Sequence, residues 1–123
     1  MIKTLLSTLT LGVAALSFGV AAHGDSKPTH GGVVQSGNDL NFELVLQADG
    51  AAIYIVDHEK PMSTAGVSGK LTVLNGTEKS EAPLLPAGDK LESKGVKLVS
   101  GCKVLASIVT ADKKTTIVRF AVK

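Results

Sequence analysis

Three histidines, one cysteine and one internal methionine are the side chains in this sequence best suited to bind or react. His23 and His30 lie seven residues apart in "HGDSKPTH", a stretch with almost nothing to bury. His58 sits in "DHEKP" between Asp57 and Glu59, and Met62 follows four residues later. A neutral imidazole is the commonest protein ligand for a transition metal. Imidazole suits copper, zinc and nickel, and a thioether suits Cu(I). A carboxylate next to a histidine orients or charges such a site. His30 precedes Gly31-Gly32, whose backbone freedom lets the imidazole turn back toward another ligand. Closing so short a loop between His23 and His30 costs only about a few kcal/mol. His23, His30, His58 and Met62 are therefore the candidate ligands. Each also has an ordinary reading. His23 and His30 would be hydrated residues in a hinge, His58 a turn residue, and Met62 a filler of a core gap.

The chemistry of His23 depends on processing. Lys3 supplies a positive start, Leu5 to Val20 is apolar apart from Ser, Thr and Gly, and Val20-Ala21-Ala22 puts small residues where a signal peptidase reads. That layout predicts a signal peptide over residues 1–22 and a periplasmic or secreted product. A retained membrane anchor is the alternative. The shortness of the apolar stretch and the lack of a following basic cluster disfavour it, so no membrane association is expected after cleavage. A cut after Ala22 would make His23 the first residue. Its free α-amine and imidazole Nδ1 then chelate one Cu(II) together. The expected cofactor is a divalent or cuprous ion, copper first and zinc next.

Composition narrows the remaining classes. The net charge of +2 is close to balance, without the dense basic patch that nucleic acid requires or a polybasic block for a lipid surface. Cys102 is the only cysteine, so no disulfide forms within the chain. It shares strand parity with Val104, Ala106 and Ile108 and is expected as a small buried apolar residue. No G-x-S-x-G, H-E-x-x-H or phosphate-cradling motif occurs, and a non-enzymatic role is expected.

The elements that must position these side chains read as strands. From residue 33 onward, short apolar runs rich in β-branched residues alternate with turn residues, and no long helical period appears. Strands are expected at 41–47, 51–57, 67–74, 77–85, 91–98, 102–110 and 115–122. Asp49-Gly50 and Asn75-Gly76 mark hairpins, and "DHEKP" and "PAGDK" read as loops. The expected fold is all-β, an immunoglobulin-like β-sandwich of about seven strands over residues 33–123. A flexible His-containing lead-in, 23–32, precedes it, and a small barrel is the other closure such strands permit. In "FELVL" Phe42 and Leu44 share one face, and Glu43 falls on the other, where exposure is the ordinary expectation. Tyr54 shares parity with Val56 and His58.

Read in order, "HGG" with a following valine pair, "FELVL", "IYIVDHEKP", "TAGVSGKLTVLNG" and "LLPAGDKLESKG" resemble a family of small periplasmic proteins associated with bacterial heavy-metal efflux. They are also similar to the N-terminal β-domain of periplasmic adaptor subunits of metal-exporting RND-type pumps. The resemblance spans roughly residues 30 to 122. It implies a periplasmic β-domain working near copper, zinc, cobalt or nickel handling, with an efflux adaptor subunit as a partner. This lead-in carries fewer histidines than the family pattern. Two functional readings follow. One is a metal-binding module in metal resistance or efflux. The other is an interaction module that docks on an adaptor or other envelope partner, for which an exposed apolar row around Val45 would be the mark.

Overall fold

The computed structural model describes residues 27–123; the expected signal peptide and His23 lie outside the described residues. Nine strands make up the domain: β1 (Val33–Gly37), β2 (Leu40–Gln47), β3 (Gly50–Asp57), β4 (Lys60–Pro61), β5 (Ser68–Asn75), β6 (Glu78–Ala87), β7 (Lys90–Lys94), β8 (Lys103–Val109) and β9 (Thr115–Ala121). All are antiparallel, hydrogen-bonded in the order β1-β2-β3-β7-β6-β5-β8-β9, with β4 pairing only with β3. The all-β expectation holds among the described residues. The seven-stranded immunoglobulin-like sandwich does not: the strands form one curled sheet, nearly closed into a barrel.

Two short strands account for the difference in number, and both follow from turn chemistry. Asn38 and Asp39 (φ 48° and 65°) join β1 to β2, and His58 and Glu59 (φ 51° and 71°) join β3 to β4. Two successive residues with positive φ make the turn whose twist matches a hairpin. Asn and Asp tolerate that region without glycine. Pro61 does not end the ladder. It pairs with Val56, and the next amide, Met62 N, donates to Ile55 O at 2.9 Å. A proline is admissible here because β4 is an edge strand.

The curl comes from β6. Its first seven residues pair with β5, and Leu85, Pro86 and Ala87 then pair with β7. "PAGDK", expected as a loop, is thus mostly ladder closed by a turn at Gly88 (φ 75°). Strands β5, β6 and β7 are joined by hairpins, and β8 returns beside β5, which is a Greek key. At the open seam β1 and β9 approach through side chains. Asn38 Nδ2 donates to Thr116 Oγ1 at 2.7 Å, and a Cβ on Gly37 would sit 2.9 Å from Thr116 Cγ2.

Alternate residues of β2, β3, β5, β8 and β9 fill the interior, whereas β6 buries Leu84 alone. Phe42 and Leu44 of β2, Ile53 and Ile55 of β3, Leu71 and Val73 of β5, Leu91 of β7, Val104 and Ile108 of β8, and Val118 and Phe120 of β9 are buried. Each large aliphatic or aromatic side chain so buried stabilises the fold by about 1.5–3 kcal/mol. Cys102 lies in this core, 1% exposed, on the face shared with Val104, Ala106 and Ile108. The same alternation sends Glu43, Tyr54 and Lys90 to the outside of the barrel.

Candidate functional site

One rung of the sheet builds the site. Val34 of β1 pairs with Glu43 of β2, Glu43 with Tyr54 of β3, and Tyr54 with Lys90 of β7. Glu43 and Tyr54 sit between core-facing neighbours, so their side chains stand on the outer wall, and Val34 and Lys90 extend the rung on either side. Glu43 is nonetheless only 4% exposed. The reason is that residues 29–32 cross over it.

The crossing depends on glycine. Gly31 has φ +74°, and a Cβ on Gly32 would run into the Leu44 carbonyl. With nothing at that position, the chain lies flat on β2 and turns its amides toward the carboxylate. Oε2 of Glu43 accepts from Gly32 N at 2.8 Å and from His30 N at 2.9 Å. Oε1 accepts from Thr29 N at 3.1 Å and from Thr29 Oγ1 at 3.3 Å, and lies 3.1 Å from His30 Nδ1. Burial pushes the Glu43 pKa up. The Gly32 amide, the His30 ring and the His30 and Thr29 amides outweigh it, and the pKa falls below the ordinary 4.5. Glu43 is therefore an ionised carboxylate in a cradle of main-chain N–H groups.

The same crossing sets the His30 ring. It stacks on Tyr54 with centroids 3.6 Å apart and planes 7° from parallel. The Lys90 ammonium lies 5.7 Å from the Tyr54 centroid, within cation–π range, and 3.6 Å from Glu92. The His30 side chain remains 41% exposed, and its Nε2 makes no hydrogen bond to the described residues.

The other candidates are placed elsewhere. His58 projects from the β3–β4 turn, 84% exposed, with Nδ1 2.6 Å from Asp57 Oδ1. It lies beyond the end of β3, in the turn to β4. The His30 ring contacts Thr29, Glu43 and Tyr54, whereas the His58 ring contacts Asp57; the two histidines have no partner in common among the described residues. Among the described residues no group of three or more His, Cys, Asp or Glu side chains converges as a metal cage. Met62 packs half-buried against the core, and with Leu40, Asp39, Asp57 and Asp112 it lines an open cleft of about 400 Å³ at one end of the barrel. His23 is outside the described residues.

The apolar row around Val45 that would mark a docking surface is not continuous. Val45 is half-buried, within 3.0 Å of where a Gly32 Cβ would be, and its rung runs through buried Ala52 to the charged Glu92. Glu43 was the residue the strand pattern undervalued. Its parity placed it outside, and only the pair of glycines after His30 signalled that another segment would cover it. Comparison of the chain with protein-family models, with curated proteins and with solved structures finds no match.

Proposed function

We propose that this chain is an exported, non-enzymatic module that binds a heavy-metal ion, copper foremost and zinc next, and serves periplasmic metal resistance or efflux. The observation that carries the reading is His30: an imidazole fixed on the outer barrel wall by a stacked tyrosine and a buried carboxylate, with 41% of its side chain open to solvent. A metal-ligating histidine commonly bonds its other ring nitrogen to a carboxylate. His58, with Asp57 beside it, repeats the pairing in a more exposed setting.

A single imidazole does not fill a coordination shell, and His23 is the natural second donor. Seven residues extend at most about 25 Å, so a chain of this length sets no bar to His23 returning to the His30 ring. The exported character rests on the signal-like first 22 residues, and the link to efflux rests on the resemblance of "HGG", "FELVL" and "DHEKP" to the efflux-associated family. Affinity falls as the pH is lowered, because a protonated imidazole is no longer a ligand.

The test is calorimetric titration of the secreted, tag-free protein with Cu(II), Cu(I), Zn(II), Co(II) and Ni(II). Saturable binding that disappears when His23, His30 and His58 are all replaced supports the reading. Binding no tighter than that of an unrelated peptide, or binding indifferent to the triple replacement, refutes it.

A further inference from the structure

We infer that Glu43 and Tyr54 are positioning residues that present Nε2 of His30, and not a nitrogen of His58, as the principal metal donor of this chain. The inference rests on the metal-binding reading and adds to it the donor atom and the residues that prepare it.

The proton on the His30 ring is assigned by its neighbours. An ionised carboxylate only accepts hydrogen bonds, and Oε1 of Glu43 lies 3.1 Å from Nδ1. A lone pair on Nδ1 would face that anion directly; a proton there turns the contact into a charge-assisted hydrogen bond. Thr29 Oγ1, 3.0 Å from Nδ1, is consistent with this assignment, because its own hydroxyl proton is directed to Glu43 Oε1 at 3.3 Å. In the neutral ring Nε2 then carries the lone pair. It is the nitrogen that has no hydrogen bond to the described residues.

Orientation is fixed as well as tautomer. The 7° stack on Tyr54 holds the ring plane, and Tyr54 is itself pinned between Glu43 and Lys90 in the sheet rung. The His30 main chain is tied by its own N–H to Glu43 Oε2. Ring and backbone therefore share one buried anchor, and little rotamer freedom remains to be lost when a metal binds. His58 differs on each count. Its carboxylate partner Asp57 is 52% exposed and the imidazole 84% exposed, so water competes for the contact.

The experiment reads the ring nitrogens by long-range proton–nitrogen NMR of the metal-free secreted protein at pH 8, followed by zinc titration. The wild-type protein is expected to show His30 as the Nδ1–H tautomer alone, with His58 averaged between tautomers, and zinc is expected to shift Nε2 of His30 first. Glu43→Gln is expected to mix the His30 tautomers and weaken zinc binding about 10–100-fold, the usual cost of losing such a partner. Tyr54→Leu, which removes the aromatic face under the His30 ring, is expected to weaken zinc binding as well, and Asp57→Asn to change affinity little. An Nε2–H or averaged His30 ring in the wild-type protein overturns the inference without any variant. So does an Asp57→Asn loss equal to that of Glu43→Gln. Absence of zinc binding would remove the metal reading, and the tautomer would still decide the positioning.

Discussion

Replacing Glu43 by glutamine changes one carboxylate oxygen to an amide NH2 and leaves shape almost untouched, yet every orientation of the new amide faces at least one main-chain N–H donor to donor. Oε2 accepts the Gly32 and His30 amides at 2.8 and 2.9 Å. Oε1 accepts the Thr29 amide and hydroxyl and the His30 ring. An NH2 at the Oε2 position points donor to donor at the Gly32 and His30 amides; at Oε1 it does so at the Thr29 amide, while the Thr29 hydroxyl and the His30 ring can turn to accept. Hydrogen bonds to a charged acceptor each contribute about 1.5–3 kcal/mol; the better orientation loses one of them, and the rest are weakened because their acceptor is no longer charged. The loss does not grow to their full sum, because residues 29–32 can lift off β2 and return their amides to water. About 3 kcal/mol is the expected cost of keeping the crossing docked, roughly a hundredfold in its opening equilibrium. Amide hydrogen exchange reads this residue by residue. In Glu43→Gln the Thr29, His30 and Gly32 amides should exchange about a hundredfold faster, while those of Phe42, Ile53 and Ile55 keep their protection. Unchanged exchange at His30 and Gly32 would refute the claim that Glu43 holds the crossing.

Three further outcomes follow from the same geometry. Gly32→Ala puts a methyl group into the Leu44 carbonyl, so it should release residues 29–32 and erase the His30–Tyr54 stack, seen as loss of ring-current shifts at His30, while the barrel's circular dichroism persists. Glu43 has a pKa lowered from 4.5 in the folded protein, so its contribution to stability is complete above the ordinary value and disappears only as pH falls through the lowered one. Carbon NMR of its carboxyl should accordingly give a midpoint below 4.5, and a midpoint at or above it would contradict the cradle. Cys102, 1% exposed in the core, should react with a thiol reagent only at the rate of unfolding; immediate stoichiometric labelling would contradict its placement.

Much of the fold was legible because strand parity is. Phe42 and Leu44, Leu71 and Val73, and Cys102, Val104, Ala106 and Ile108 face inward as their alternation requires. What parity does not carry is how the strands connect around the sheet. A seven-strand count suited a sandwich, but β1 and β4 are short and are created by positive-φ turns at Asn38-Asp39 and His58-Glu59, residues that read equally well as loop. Closure also depends on β6 changing partners from β5 to β7 within one strand, and no local pattern in "EKSEAPLLPA" announces that.

The site was legible in part and for a different reason. His30 and its two glycines stood out by type and spacing. Glu43 did not, because an acidic residue on a strand's outer face is ordinarily solvated. Its burial arises from a segment more than ten residues earlier lying across it, and long-range covering of that kind leaves no trace in periodicity. Tyr54 was tied by parity to His58, whereas across the sheet it faces Glu43 and through it His30. Cross-strand register, not position along one strand, decided its partner.

Zinc affinity of the metal-free secreted protein, compared at pH 7.5 between wild type, His30→Ala and His58→Ala, tests the account most directly. The account predicts saturable binding that weakens at least about tenfold in His30→Ala and changes far less in His58→Ala. A His30→Ala protein that binds zinc as the wild type does, or a wild type that binds none, would contradict it.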